Sequence, residues 1–362
     1  MSKLIREEVL TLARYSAPAE PSRHLIKLDQ NESPDDLPQE LRRAALARIA
    51  VESFNRYPSV TPEGLRHRLA RLHDWPFEGV AVANGSNVLI QALTAAAGIG
   101  RTVVVSTPSF SLYGLSGRLL ARDLIEVPLT AGFALDLAGL DAALERSRGG
   151  LLFIANPDAP TGVLHDEDEV RALARRHPAT LLVVDEAYAP FAGNGLPPTL
   201  ASLPNAVVLR TFSKAYGLAG LRIGYALGSP VLIEQLHKVL LPFCVDRLAQ
   251  IVAEVALDHP AHLEARVTLL NSERERVLAR LAGLHALQAL PSVANFFLLR
   301  TPDAATTHRA FVEQGVLLRR VDHQPGLAGH LRVSIGAPAE NDAFIAAATR
   351  VDHALAGPAR AS

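Results

Sequence analysis

The chain has 362 residues, with 36 Lys and Arg against 37 Asp and Glu, for a formal net charge of -1. A balance this even offers no electrostatic argument for nucleic acid, and the single Cys244 excludes an internal disulfide framework or a cysteine metal site. With 49% hydrophobic and 20% charged residues, it reads as an ordinary globular chain of one large or two smaller domains.

In chain order, "IREEVLTLARY" predicts a helix, and "MSKLIREEVLTLARYSAP" lacks the compact apolar core of a signal peptide because Arg6, Glu7 and Glu8 interrupt it. The expected location is the cytoplasm. The polar-rich "LDQNESPDDLP" follows; residues 1–45 are expected to pack with a C-terminal domain. "GVAVAN" reads as a strand and "VLIQALTAAAG" as a helix; the apolar run at Val88–Gly100 is too short and mixed to span a membrane. "RTVVVSTP", "DLIEVPL", "GLLFIANP", "TLLVVDEAY", "AVVLRTFS" and "RIGYALG" read as further strands. Continuous Val, Ile and Leu runs fit strands buried on both faces of a parallel sheet. The spacers "LAGLDAALERS" and "DEDEVRALARRH" are helical, the second acidic at its start and basic at its end, as the helix dipole favours. Alternating strands and helices predict an α/β fold over residues 46–245. Beyond it, two long helices meeting near Pro260, then "ANFFLLR", a helix, "GVLLRR", "LRVSIG" and a last helix predict a smaller α+β domain, 246–362.

Ligands of open parallel sheets bind beyond the carboxyl ends of the strands, so the residues after each strand carry the chemistry. Gly85-Ser86 opens a helix and presents backbone N–H groups and a hydroxyl, which suits an anion; the same turn is also an ordinary helix cap. Asp185 ends a strand, where it can cap or face a cationic ring nitrogen. Lys occurs only at Lys3, Lys27, Lys214 and Lys238, so a chain that otherwise writes Arg places an amine that can lose its proton at 214. Ser213, Lys214 and Arg222 together supply a hydroxyl, an amine and a guanidinium, the groups a phosphorylated aldehyde requires. With Asp185 for a pyridine nitrogen, the set describes a pyridoxal phosphate site. The histidines show no paired helical metal spacing, so no metal is expected. Trp75 reads as a packing residue.

In "LDQNESP", "NRYPSVTPEGLRHRLA", "NGSN", "TPSFSLYG", "NPDAPTG", "VVDEAY", "TFSKAYGLAGLRIGY", "ANFFLLR" and "GVLLRRVDHQPGLAGHLRVSIG", taken in order, the chain resembles the fold-type I, aspartate-aminotransferase-like pyridoxal phosphate enzymes, and within them the histidinol-phosphate aminotransferases. The resemblance implies a mostly parallel seven-stranded sheet in the large domain, a homodimer with shared active sites, and small-molecule partners rather than nucleic acid or membrane. It matches Lys214 to the lysine that anchors the cofactor and shuttles the proton, Asp185 to the partner of the pyridine nitrogen, and Tyr188 to the donor for the phenolic oxygen. Gly85, Ser86, Ser213 and Arg222 match phosphate ligands, and Phe110 the aromatic stacked on the ring. Tyr57 matches the tyrosine that reaches the neighbouring subunit's phosphate. Arg332 matches the arginine for a substrate anion, Arg319 an extra arginine for a substrate phosphate, and Tyr15 and Asn31 parts of the substrate lid.

One position departs. The family usually carries an Asn where this chain has Ala159, which leaves Asn156, Asp158 or Tyr188 alone to serve the phenolic oxygen. Arg320 reads as a solvated neighbour of Arg319, and His323 and Gln324 lie on the loop between the two matched arginines. The resemblance implies transamination between L-histidinol phosphate and 2-oxoglutarate; a threonine-phosphate decarboxylase or an aromatic amino acid aminotransferase are the alternatives on this scaffold. A nicotinamide dehydrogenase would need Gly-x-Gly-x-x-Gly after its first strand, which "NGSNVL" does not supply.

Overall fold

The computed structural model describes residues 4–12, 25–192 and 198–356. Tyr15 lies outside them. Twelve strands are present among the described residues: β1 Ile26–Leu28, β2 Val80–Ala83, β3 Thr102–Thr107, β4 Asp123–Pro128, β5 Gly150–Ala155, β6 Thr180–Asp185, β7 Ala206–Thr211, β8 Gly224–Gly228, β9 Gln288–Ala289, β10 Phe296–Arg300, β11 Val316–Arg320 and β12 His330–Ser334.

Seven of them build the large sheet in the order β2-β8-β7-β6-β5-β3-β4. β3 to β7 pair in parallel, through helical crossovers such as Glu167–Arg176. That helix is capped by Asp166, whose carboxylate accepts from Asp168 N and Glu169 N. The apolar strands β3, β5 and β7 are buried on both faces because helices cover both sides. Val104, Leu152, Ile154 and Val208 enter one core, and Val103, Leu151, Phe153 and Val207 the other. Each such side chain is worth ~1.5–3 kcal/mol of apolar burial. β4, at the sheet edge, keeps Asp123 and Glu126 exposed, which discourages further pairing.

β8 breaks the pattern. No crossover helix separates it from β7, so the chain turns back and β8 runs antiparallel to both β7 and β2. The returning turn, residues 212–223, carries Lys214. It therefore lies at the same sheet end as the carboxyl ends of β2, β3, β5 and β6.

The second sheet has the order β1-β11-β12-β10-β9. Strand β1 joins it parallel to β11, whereas Leu37, Leu41 and Ala45, also within the N-terminal segment expected to pack with the small domain, enter the core of the large sheet. The helices Pro260–Leu281 and Pro338–Ala356 cover this sheet through Leu270, Val277, Phe344 and Val351. The strand β9 was not foreseen; two residues are too few to show a periodic pattern. We propose domain divisions near residues 45 and 245. Helix Arg247–Leu257 bridges them, because Ala249, Ala253 and Val255 enter the core of the large sheet. Trp75 donates from Nε1 to Gly228 O at 3.0 Å, in keeping with a packing role. Among the described residues, no helix is long and apolar enough to cross a membrane, and no cluster of His, Cys, Asp or Glu suits a metal ion.

Candidate active site

The chain order of the large sheet reverses between β3 and β5, and in such sheets the crevice opens at the carboxyl end of that switch point. A cavity of about 240 Å³ lies there, lined by residues of both sheets. Lys214, Asp185, Tyr188, Phe110, Ser86, Ser213 and Arg222 all line it, and so do Arg319 and Arg332.

Lys214 is half-buried. Its Nζ donates to Gln30 O at 2.9 Å and stands 5.7 Å from the centre of the Tyr188 ring. Asp185 ends β6 and is buried; burial pushes its carboxyl up from the ordinary range, against the Tyr113 hydroxyl, the Ala187 N–H and the Lys214 charge. Tyr113 Oη donates to Asp185 Oδ2 at 2.8 Å, and Ala187 N to Oδ1 at 3.1 Å. Phe110 meets Tyr113 edge-on at 5.5 Å, and Tyr113 lies flat on Phe153 at 4.9 Å.

The anion cradle comes from three turns. Helix Ser86–Ala97 starts after Gly85, which offers no side-chain cap to its first N–H groups. Arg222 Nη1 donates to Ser213 Oγ at 3.2 Å. Gly85 is left-handed at φ 82°, and a Cβ there would lie 2.7 Å from Arg222 Nη2. Only glycine lets the guanidinium close on this turn.

The small sheet supplies the opposite wall. Arg319 on β11 and Arg332 on β12 are cross-strand partners, so both side chains leave the same face. Arg332 Nη2 donates to Asp29 O at 3.0 Å. Arg320 lines the cavity too, but Asp322 grips it through Nε at 3.0 Å and Nη2 at 2.7 Å. His323 and Gln324 also line it.

Two expected residues stand apart from this cavity in the chain. Tyr57 is 81% exposed and stacks on Phe243 at 4.8 Å. Asn31 is fully buried behind Tyr188, whose hydroxyl accepts from Asn31 Nδ2 at 2.9 Å. Around Ala159, which lines the cavity, the alternatives narrow. Asn156 is consumed by the backbone of His165, donating from Nδ2 to its carbonyl at 3.2 Å and accepting its N–H at 2.9 Å. Asp158 is buried and accepts from Thr161 Oγ1 at 2.6 Å; burial pushes its carboxyl up to about 7. Tyr188 is thus the member of the three that faces the cavity.

The sequence reading missed Tyr113 and the Gln30 carbonyl. Tyr113 had a signal, since it follows Phe110 by one helical turn. The Gln30 carbonyl had none, because any residue carries one.

Chemically, the cradle suits a phosphate, Asp185 a cationic ring nitrogen, and Lys214 condensation with a carbonyl. The comparisons agree with this set. The model of the aminotransferase class I and II family matches residues 23–347. A histidinol-phosphate aminotransferase of Deinococcus radiodurans is 39% identical over 345 residues, covering 95% of each chain. One of Thermococcus kodakarensis is 40% identical over 344 residues, covering 95% of this chain and 97% of the other. The crystal structure of a histidinol-phosphate aminotransferase from Sinorhizobium meliloti in complex with pyridoxal-5'-phosphate superimposes with a TM-score of 0.80 at 31% identity, over 91% of both chains. The chain belongs to the class I and II aminotransferase family.

Proposed function

We propose that the protein is a pyridoxal 5'-phosphate-dependent transaminase that converts L-histidinol phosphate and 2-oxoglutarate to imidazole acetol phosphate and L-glutamate. The residues fit the cofactor. The turn at Gly85 is closed on Arg222, Ser213 bonds that same guanidinium, and a buried acid and a half-buried amine share the cavity. When bound, the cofactor supplies an aldehyde that condenses with amines and a ring that accepts an electron pair from the amino-bearing carbon.

The chain's own groups do the rest. Ser86, Ser213, Arg222 and the helix N-terminus hold the phosphate. Phe110 offers its ring face, and Asp185 holds a proton on the ring nitrogen, its negative charge kept by Tyr113 and Ala187. Tyr188 donates to the phenolic oxygen. Nζ of Lys214 would take the proton from the amino-bearing carbon and hand it back on the far side of the nitrogen, at the carbon that was the cofactor's aldehyde.

The observation that carries the substrate is the pairing of Arg319 with Arg332 on adjacent strands in the same cavity as Lys214. Two fixed cations suit a donor with a phosphate at its far end, and the dicarboxylate acceptor reuses them. The names of the relatives point the same way. We place Tyr57 at the partner's phosphate in a homodimer. The exposed stack of Tyr57 on Phe243, with Phe243 N bonded to Val60 O at 3.3 Å, gives that surface an apolar face to bury. We assign Tyr15 to substrate binding; Asn31 instead stands fully buried behind Tyr188, away from the substrate. A cytoplasmic location suits the single Cys244.

A substrate panel tests this. Turnover of histidinol phosphate with 2-oxoglutarate is expected. CO2 release from threonine phosphate without any amino acceptor, or preference for phenylalanine and tyrosine, would overturn the substrate assignment. Lys214→Ala and Lys214→Arg should both lose transamination, since guanidinium does not form the required bond.

A further inference from the structure

Tyr188 faces the cavity with one hydroxyl that can donate or accept. A chain of hydrogen bonds behind it fixes which. Asn31 N donates to Ser334 Oγ at 2.8 Å, so the Ser334 hydroxyl has its own proton to give, and it gives it to Asn31 Oδ1 at 2.9 Å. The amide is thereby oriented: Oδ1 is taken, and Nδ2 must face Tyr188, to whose oxygen it donates at 2.9 Å. The Tyr188 oxygen accepts from behind, and its proton turns forward into the cavity, where Lys214 lies 5.7 Å from the ring.

The fold is committed to this arrangement. Asn31 is fully buried and left-handed at φ 54°, a conformation that Asn tolerates better than most side chains. Asn295 Nδ2 holds its carbonyl at 3.2 Å. Strand β12 contributes Ser334, so the small sheet dictates the polarity of a hydroxyl on the large-domain side. At the position where the family usually carries an Asn, Ala159 presents a methyl, and Asn156 and Asp158 are engaged elsewhere.

We propose that Asn31 is a positioning residue that aims the Tyr188 proton at the anionic ring oxygen of the bound cofactor, making one tyrosine sufficient where Ala159 supplies nothing. The proposal rests on the cofactor reading above and adds a role for a residue that makes no contact with the cavity.

The test uses holoenzyme loaded with pyridoxal 5'-phosphate and reads the pH midpoint of its visible absorbance band in the parent, Asn31→Gly, Tyr188→Phe and the double variant. Glycine accepts the left-handed backbone at no cost, so only the side chain is removed. A proton donated to the anionic ring oxygen weakens that oxygen's hold on the neighbouring protonated nitrogen and keeps the midpoint low. Losing a hydrogen bond to a charged acceptor should raise it by about one pH unit. Asn31→Gly and Tyr188→Phe should therefore both raise the midpoint. In the Tyr188→Phe background, Asn31→Gly should add nothing, because no hydroxyl remains to aim. Ser334→Ala, which frees the amide to flip, should raise the midpoint in the same direction. An unchanged midpoint in Asn31→Gly, or a full shift that persists in the Tyr188→Phe background, overturns the proposal. A parent protein with no such band overturns the cofactor reading itself, and this inference with it.

Discussion

A cross-strand pair of arginines sets what this cavity can hold. Arg319 and Arg332 leave one face of the small sheet, opposite a phosphate cradle that already uses Arg222. Hydrogen bonds to charged groups are worth ~1.5–3 kcal/mol. Arg319→Ala should therefore raise KM for histidinol phosphate by about 10- to 100-fold. Cofactor binding, measured by absorbance, should stay unchanged, because the cradle is built from other turns. A loss of cofactor instead would mean that Arg319 belongs to the cradle. These arginines were readable from "LLRR" and "HLRVS" only with the resemblance in hand, since a pair of strand arginines is otherwise a solvated edge. That they oppose one another is a register fact, decided by the pairing of β11 with β12.

At the scale of elements, the loop after β5 buries two titratable groups whose uncharged forms burial favours. Asp158 is fully buried among Thr161 and Ser109, and burial pushes its carboxyl up to about 7. Its folded value lies above its unfolded one, so the folded chain binds the extra proton between roughly pH 4 and pH 7. The Asp158 contribution is fully present below the unfolded value and is lost as pH rises towards 7. His165, held down to about 4 by burial on the same loop, acts in the opposite sense, so the parent's pH curve mixes the two. The difference between parent and Asp158→Asn isolates the carboxyl. The advantage of the Asn variant, by urea denaturation, should grow from pH 4 to pH 7; a flat difference would exclude a proton-binding Asp158 in the fold. None of this was readable from "NPDAPTG", because burial depends on what packs around the loop.

At the scale of the whole molecule, Tyr57 and Phe243 form an exposed aromatic stack on the large unit. A charge placed there should be tolerated by a monomer and rejected by a dimer. On the proposed homodimer, Phe243→Asp is expected to halve the mass in sedimentation equilibrium and to lower cofactor affinity, because the proposed contact of Tyr57 with the neighbouring site would be lost. An unchanged mass would place the interface elsewhere.

The large sheet was readable strand by strand because its strands are buried on both faces, and burial writes itself into a chain as uninterrupted Val, Ile and Leu. Asp185 and Lys214 drew notice because they stand at or just beyond the end of such a run, and Arg222 because it follows the glycine-containing turn after Lys214. The short β9 left no pattern, and the antiparallel return of β8 left none either, since strand direction follows from the missing crossover and not from composition. Only the tertiary structure brought Gln30 O to the Lys214 amine, Tyr113 to Asp185 and Asn31 to Tyr188. Two of these contacts join residues well over a hundred positions apart, and the third links a crossover helix to the end of strand β6. Local sequence carries propensity and burial; which hydroxyl meets which amide is settled when two sheets close on one cavity.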